Sequence, residues 1–212
     1  MPCFARPARR MAQAFPKRCT MSDLILASQS PRRRELLALT GLSFETSVPD
    51  VDETCDLPAG EAVAALSLKK ATAVAAAHPG RIVLAADTLV SVSGRALGKP
   101  RDEADAFRML RMLSGQWHEV YTGVTVIDAA GRVHAGVDES GVHFTEMTDE
   151  DIRAYIATGE PMDKAGAYAV QGIAGLWIDA VRGSSSNIIG LPLCLTRTLL
   201  RECGLSVPAR RS

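Results

Sequence analysis

Residues 24–37 read LILASQSPRRRELL, a short apolar run that passes directly into a helical segment. The apolar run predicts a buried strand, Ser30 occupies the N-cap position, and Pro31 takes the first helical position. Three arginines, residues 32–34, then fall in the first turn of the helix, where the helix dipole repels cations. A chain that places arginines there despite this repulsion is expected to bind an anion among them.

The three arginines cover most of a helical turn, so only one or two of them can point back over the helix N-terminus. Backbone N–H groups at that end add fixed donors, and together they would form an anion site with forked, charge-assisted hydrogen bonds. The alternative is a basic face exposed to solvent. The preceding strand and turn favour the anion site, because ligands of α/β sheets bind at the carboxyl ends of strands.

The rest of the chain predicts a mixture of strands and helices. Strands are expected at 43–48, 81–94 and 175–183, with two or three antiparallel strands over 118–144 around a turn at Ala130 and Gly131. Helices are expected over 31–39, 61–78, 102–115, 148–159 and 192–203, the fourth with a capping box of Thr148 and Asp151. We therefore predict an α/β fold with a mixed central sheet, flanking helices and room for two lobes.

Composition excludes several classes of protein. The 212 residues carry 24 basic and 24 acidic side chains, and this zero balance argues against a dedicated nucleic-acid binder. The chain has no run of about 18 apolar residues, so no membrane span is expected. The five cysteines are odd in number and scattered, which favours reduced thiols in a cytoplasmic protein over disulfides or a zinc site.

The two ends of the chain differ from its middle. Residues 1–22 hold five basic side chains and no acidic one, and they lack the long apolar core of a secretory signal. We expect a disordered or non-native extension upstream of a start at Met21, and an organellar transit peptide stays open. The folded domain is expected over 23–205, with a short tail at 206–212.

Asp87 is an ionisable residue inside the apolar run IVLAADTLVSV at 82–92. Burial of an unpaired carboxylate is costly, so Asp87 is expected to be paired, metal-bound or catalytic. A structural role, in which it caps a turn or bonds a lysine, stays open, with Lys99 as the natural partner. Lys69 and Lys70 lie on a mostly apolar helix, where each is expected at the surface unless one reaches into a cleft.

Two loops in the second half of the chain carry weaker signals. The segment 160–175, EPMDKAGAYAVQGIAG, is rich in glycine, and its Gln171 has the donors and acceptors to read the edge of a base. The segment 182–192, RGSSSNIIGLP, either donates to phosphate oxygens or forms only a turn and a helix start. The four histidines show no metal-ligand spacing, and no serine has a histidine at a spacing that indicates covalent catalysis.

Eight short motifs occur in one order along the chain: LILASQSPRRRELL, VDE, KKA, AADTLV, GKP, YTGV, DKAGAYAVQG and NIIGLPL. In order and spacing they resemble the Maf family of nucleotide pyrophosphatases over residues 23–203. The resemblance implies an α/β fold similar to that of the inosine triphosphate pyrophosphatases, with a deep cleft between two lobes. It also implies hydrolysis of nucleoside triphosphates to the monophosphate and pyrophosphate, with a divalent metal, Mg²⁺ or Mn²⁺, as cofactor.

The resemblance further implies roles for individual residues. Asp87 matches the proton acceptor of the family and, with Glu53, its metal ligands. Lys70 and Lys99 complete the catalytic group. Contacts to phosphate or metal fall on six residues: Ser28, Arg32, Arg33, Glu53, Lys70 and Lys99. Substrate choice is associated with Arg32, Thr88 and Gln171. The sequence departs from the family pattern at Lys69, since Glu often precedes the helix lysine there.

The main hypothesis is a pyrophosphatase for dTTP and UTP that removes surplus or non-standard pyrimidine nucleotides, because DKAGAYAVQG resembles that subfamily. A preference for 7-methyl-GTP or another modified nucleotide stays open, although Thr88 and Gln171 weigh against it. A nucleotide-sensing, septum-associated interaction protein is the alternative of another class, and the intact Asp87, Lys99 and Glu53 argue against it. The expected partner is a free nucleoside triphosphate, with no nucleic acid and no membrane, and a homodimer stays open.

Overall fold

The computed structural model describes residues 23–207, so the predicted extension at 1–22 and residues 208–212 of the predicted tail lie outside the described residues. The helices and strands are β1 (Leu24–Ala27), α1 (Pro31–Ala38), β2 (Glu45–Ser47), α2 (Ala59–Ala77), β3 (Ile82–Val92), β4 (Arg95–Leu97), α3 (Glu103–Leu113), β5 (Trp117–Ile127), β6 (Val133–Phe144), α4 (Asp149–Ala157), β7 (Ile178–Arg182), α5 (Ser185–Ile189) and α6 (Leu193–Glu202). Short 3₁₀ turns lie between α4 and β7 at Glu160–Asp163, Ala165–Ala167 and Ile173–Leu176. Within the described range, none of the helices has the length and apolar character needed to span a membrane.

The strands form one mixed sheet in the order β2-β1-β3-β5-β6-β7. β2, β1 and β3 run parallel to one another, whereas β3, β5, β6 and β7 pair in antiparallel fashion, and β4 pairs with the end of β3. β5 and β6 form one long hairpin around the predicted turn, where Gly131 has a φ of 81°. The predicted α/β fold with a mixed sheet and flanking helices is confirmed.

Helix α1 begins as the sequence predicts. The fully buried β1 ends at Ala27, the side chain of Ser30 accepts the backbone N–H of Arg33 at 3.5 Å, and Pro31 is the first helical residue. Leu36 and Leu37 are buried against the sheet side of the helix, and the arginines occupy the first turn. The first turn of α1 therefore lies close to the carboxyl end of β1.

Alternate residues of the parallel strands point to opposite faces of the sheet. Leu26 of β1 packs in a core with α1 and α6, whereas Ile25 packs in a core with α2 on the other face. Helix α2 approaches the sheet so closely that a Cβ on Gly123 would lie 2.3 Å from the carbonyl oxygen of Val63. Only glycine leaves room for this contact.

A third hydrophobic core lies further along β3 than the first two. Val90 and Val92 at the end of β3 pack in it with residues of α3 and α4, whereas 82–86 of β3 belong to the first two cores. The segment 87–89 lies between them. This division produces the two lobes that the resemblance implies.

One edge of β3 lacks a neighbouring strand at the same point, where the cores meet. β1 pairs with β3 only as far as Leu84, and β4 joins that edge again only at Val90, while β5 covers the opposite edge. Between Leu84 and Val90 this edge has no neighbouring strand within the described range. The gap opens at the carboxyl end of β1, where ligands of α/β sheets bind.

Local signals also predicted the start of α4 correctly, but they missed two elements. Thr148 and Asp151 form the predicted capping box at the start of α4. The three-residue strand β4 was not predicted. The segment 182–192 was expected to form a serine-rich turn, but it contains the short helix α5.

Candidate active site

A cavity of about 570 Å³ occupies the gap between the lobes. That volume is in the range of pockets that bind small molecules and cofactors. The cavity brings together all nine residues that the sequence analysis assigned to the site, although they come from separate segments: Ser28, Arg32, Arg33, Glu53, Lys70, Asp87, Thr88, Lys99 and Gln171.

Asp87 is buried in the wall of the cavity and faces α2, because odd-numbered residues of β3 point to that side of the sheet. Lys70 of α2 is also buried, and its Nζ donates to Asp87 Oδ1 at 2.5 Å. Oε1 of Glu53, on the loop before α2, lies 3.0 Å from the same nitrogen. One ammonium group thus holds two carboxylates at the cavity.

The prediction that Lys99 is the partner of Asp87 is wrong, because the cation bonded to this carboxylate is Lys70. Of the two lysines on α2, Lys70 reaches into the cleft and Lys69 stays at the surface. The Nζ of Lys69 donates to the carbonyl oxygen of Asp52 at 2.6 Å, next to Glu53. The lysine that departs from the family pattern thus helps to hold the loop that carries Glu53.

Arg33 is fixed by β3 and by the turn after α5. Its Nε donates to the carbonyl oxygen of Gly190 at 2.9 Å, and its Nη2 donates to Thr88 Oγ1 at 3.0 Å. Thr88 Oγ1 is 3.0 Å from Thr122 Oγ1, which donates to the carbonyl oxygen of Asn187 at 3.0 Å. Burial lowers the pKa of Arg33 below its ordinary value. The hydrogen bonds show that the Thr88 hydroxyl is engaged in holding this guanidinium.

Arg32 and Arg34 differ in their position on the first turn of α1. Arg32 lines the cavity, and its Nη1 lies 3.8 Å from Asp163 Oδ2. Arg34 is exposed to solvent and does not line the cavity. Two of the three arginines therefore face the cavity at the N-terminal end of α1, as the geometry of a helical turn predicts.

The facing wall comes from the loops after β4 and α4. Lys99 is exposed at the cavity and bonds to no other described residue, and Gln171 is exposed at its rim. Lys164 also lines the cavity, and it donates to the carbonyl oxygen of Glu160 at 3.2 Å and pairs with Asp163. Lys164 was not among the predicted site residues, although its place in the DKAG motif was a signal for it.

Tyr168 lines the cavity, and its hydroxyl contacts a buried histidine. Its hydroxyl lies 2.9 Å from Nε2 of His118 on β5. His118 is fully buried, and its Nδ1 has no hydrogen-bond partner among the described residues. Burial, aided by the nearby charge of His143, lowers the pKa of His118 from 6.5 to about 4. His118 is therefore neutral at pH 7.

Because the folded protein resists protonation of His118, its stability is expected to depend on pH. Between pH 6.5 and 4 the unfolded chain takes up a proton that the folded chain does not, so the free energy of unfolding falls as the pH falls. This histidine alone should account for about 3 kcal/mol across that range. Urea unfolding at several pH values measures the effect. The free energy of unfolding should depend less steeply on pH in His118→Gln than in the wild type, and this difference separates the effect of the histidine from that of the carboxylates. Identical slopes would contradict the prediction.

The serine-rich segment serves the fold. Ser184 Oγ accepts the N–H of Asn187 at 3.4 Å as the cap of α5, and Ser186 Oγ accepts the N–H of Leu193 at 3.0 Å. Neither serine lines the cavity, whereas Gly190 of the same segment does. Of the two roles left open for this segment, the structure supports the structural one, because these serines cap α5 and bond the start of α6.

Two known proteins similar to this chain are named dTTP/UTP pyrophosphatase. The dTTP/UTP pyrophosphatase of Anaeromyxobacter dehalogenans (strain 2CP-1 / ATCC BAA-258) is 51% identical over 191 residues, which cover 89% of this chain and 97% of the relative. The dTTP/UTP pyrophosphatase of Moorella thermoacetica is 48% identical over 196 residues, which cover 90% of this chain and 100% of the relative.

The solved structure of the Staphylococcus aureus Ham1 protein shares the fold, with a TM-score of 0.50 and 14% identity over 84% of this chain and 98% of that one. The family model described as Maf-like protein matches residues 23–203. Because this match spans nearly all of the described residues and the curated relatives match over almost their whole length, the chain belongs to the Maf family.

Proposed function

We propose that this chain hydrolyses dTTP and UTP to the nucleoside monophosphate and pyrophosphate, and so removes surplus or non-standard pyrimidine nucleotides. The observation that carries the proposal is the cluster of Asp87, Lys70 and Glu53, which shares one cavity with Arg32 and Arg33. The relatives named dTTP/UTP pyrophosphatase support the choice of substrate. The substrate is a free nucleotide in the cytoplasm, so neither nucleic acid nor a membrane is required, and a homodimer stays a prediction.

In this proposal the triphosphate lies along the first turn of α1. Arg32 and Arg33 supply charged donors, and the backbone N–H groups of the helix N-terminus add to them. Ser28 Oγ accepts the N–H of Ser30 at 3.1 Å, which leaves its own hydroxyl proton free for a phosphate oxygen. Lys99 approaches from the facing wall. The bound anion offsets the repulsion between the arginines and the helix dipole.

Asp87 is proposed to act as the general base. Its Oδ2 has no partner among residues 23–207, so it is free to hold a water. The water oxygen attacks the α-phosphorus, its proton passes to the carboxylate, and the bond from the α-phosphorus to the bridging oxygen breaks as pyrophosphate leaves. Lys70 holds Asp87 in place through Oδ1, and the surrounding cations stabilise the charge that develops on pyrophosphate.

Glu53 and Asp87 are the proposed ligands of a divalent cation. Their oxygens lie 3.0 Å and 2.5 Å from the Nζ of Lys70, so the two carboxylates converge on one region, and such oxygen donors suit Mg²⁺ or Mn²⁺. Among the described residues no third His, Cys, Asp or Glu joins them, so substrate phosphates and water would complete the shell. When bound, the cation supplies positive charge next to the phosphates.

Gln171 is proposed to select the base. A uracil or thymine edge offers carbonyl acceptors and one N–H donor, and a glutamine amide can serve both. A site built to bond a polar edge rejects a mismatched one, because its own groups are left unpaired. Thr88 contributes indirectly, since its hydroxyl holds Arg33.

Arg32 should matter more for binding than Arg34. Arg32→Ala is expected to raise the KM for dTTP about tenfold or more, because loss of a charged, forked contact costs about 1.5–3 kcal/mol. Arg34→Ala removes the same charge from the same turn outside the cavity, and its KM should change less than about twofold. Steady-state kinetics on both variants measures this. Equal small changes would mean that the arginines form a solvated basic face.

The release of pyrophosphate from a panel of nucleotides tests the proposed function. The panel contains dTTP, UTP, dCTP, dATP, dGTP and 7-methyl-GTP, each with Mg²⁺ and with Mn²⁺. We expect the highest kcat/KM for dTTP and UTP. A preference for 7-methyl-GTP would replace the proposed substrate, and binding without turnover of any nucleotide would favour a nucleotide-sensing protein.

A further inference from the structure

Gln171 lies on a short loop, residues 169–174, which we name the Gln171 loop. Its side chain is exposed at the cavity and forms no hydrogen bond with another described residue. The position from which this side chain enters the cavity is therefore set by the backbone of the loop. Inside the loop one turn is closed by the N–H of Gly172, which donates to the carbonyl oxygen of Ala169 at 3.0 Å.

Two side chains outside the loop hold its ends. The Ala169 N–H donates to the hydroxyl oxygen of Tyr155 at 3.3 Å on the upstream side. On the downstream side, the N–H groups of Ile173 and Ala174 donate to Glu160 at 3.0 Å and 3.5 Å. The Tyr155 hydroxyl donates to the same carboxylate at 2.7 Å. One tyrosine–glutamate pair thus fastens the loop on both sides of Gln171.

The fit between the loop and the carboxylate is close. A Cβ on Gly172 would lie 2.2 Å from Oε2 of Glu160, so only glycine lets the carboxylate reach the following N–H groups. Tyr155 is 1% exposed, which leaves its hydroxyl little freedom to find other partners. Its pKa is raised by burial, so it stays a donor. Hydrogen bonds from Tyr155 and the loop outweigh the burial of Glu160 and lower its pKa, so it stays an ionised acceptor.

We propose that Glu160, tied to Tyr155, is a positioning residue for base selection, because it fixes the loop on which Gln171 faces the cavity. Neither residue lines the cavity, so neither is expected to touch the nucleotide. The inference rests on the proposed function, in which Gln171 reads a pyrimidine edge. It adds that selectivity depends on a carboxylate bonded to the backbone of the loop.

Glu160→Gln tests this with little change of shape. The amide has one acceptor oxygen where the carboxylate has two, and its NH₂ group is a donor. The glutamine therefore cannot accept from both Tyr155 and all the loop N–H groups. Hydrogen–deuterium exchange should become faster at the amides of residues 169, 173 and 174. The ratio of kcat/KM for dTTP to that for dATP should fall about fivefold or more, towards the value for Gln171→Ala, while the rate with dATP changes less than about twofold.

Two further variants complete the experiment. Tyr155→Phe removes the hydroxyl that joins both ends of the loop, and it should shift exchange and selectivity in the same direction if Glu160→Gln folds poorly. Glu150→Gln makes the same chemical change at an exposed position of α4 and should alter neither.

Faster exchange in the Gln171 loop with an unchanged selectivity ratio would overturn the inference, as would an equal loss for all nucleotides or unchanged exchange. Each of these results, obtained with a wild type that prefers dTTP, leaves the proposed function standing. A wild type without any preference for pyrimidines would instead overturn the proposed function and this inference together.

Discussion

The Asp87→Asn enzyme is expected to lose about 10²–10⁴-fold in kcat for dTTP, because an amide cannot accept the proton of the attacking water. Asparagine has nearly the shape of aspartate, and Lys70 keeps Glu53 at 3.0 Å as a partner, so the fold should survive. The KM should change far less than kcat, since the arginines of α1 hold the triphosphate in this account. Steady-state kinetics and a thermal melt measure the two effects separately.

Asp138→Asn is a matched control for this variant. Asp138 lies on β6 outside the cavity, and its carboxylate bonds the N–H of the next residue, Glu139. This control should keep kcat within about twofold. An Asp87→Asn enzyme that retains more than roughly a tenth of the wild-type kcat would contradict the role of Asp87 as general base.

The second large effect is expected for Lys70→Met. Removal of the ammonium leaves the buried Asp87 carboxylate without its cation, and Glu53 then faces it as a like charge. Loss of one partner of a buried ion pair typically costs about 3–5 kcal/mol of stability. Lys70 also orients Asp87 towards the attacking water in this account, so kcat should fall about 10²-fold or more.

Lys70→Arg distinguishes this explanation from simple misfolding. It keeps a cation beside Asp87, so it should retain more stability and a higher kcat than Lys70→Met in a thermal melt and in steady-state kinetics. Arg197→Met is the control at an exposed position of α6 outside the cavity, and it should change neither stability nor kcat. Unchanged stability together with an unchanged kcat in Lys70→Met would contradict the proposed ion pair.

Local signals in the sequence were sufficient for much of the fold. The N-cap at Ser30, the capping box at Thr148 and the turn at Gly131 each rest on residues close in sequence, and each is found. Strand β4 and helix α5 are three and five residues long, too short to show a period. They exist because tertiary contacts stabilise them, such as the bond from Arg33 to the carbonyl oxygen of Gly190 after α5.

The contacts within the candidate site were harder to predict than the identity of its residues. Motifs identified the residues, but the partner of Asp87 depends on which face of β3 meets α2, and no local spacing gives that. Sequence proximity to Lys99 therefore led to the wrong pairing. The bonds from Glu160 to the Gln171 loop join residues 13 and 14 positions apart with no periodic signal, so they became visible only in the structure.

Hydrolysis of dTTP by the wild type in ¹⁸O-labelled water tests the central claim most directly. Mass spectrometry of the products reports which phosphorus the water attacks. The account predicts dTMP that carries one ¹⁸O atom, together with unlabelled pyrophosphate, because water held at Asp87 attacks the α-phosphorus. Label in pyrophosphate, or formation of dTDP and phosphate, would contradict it.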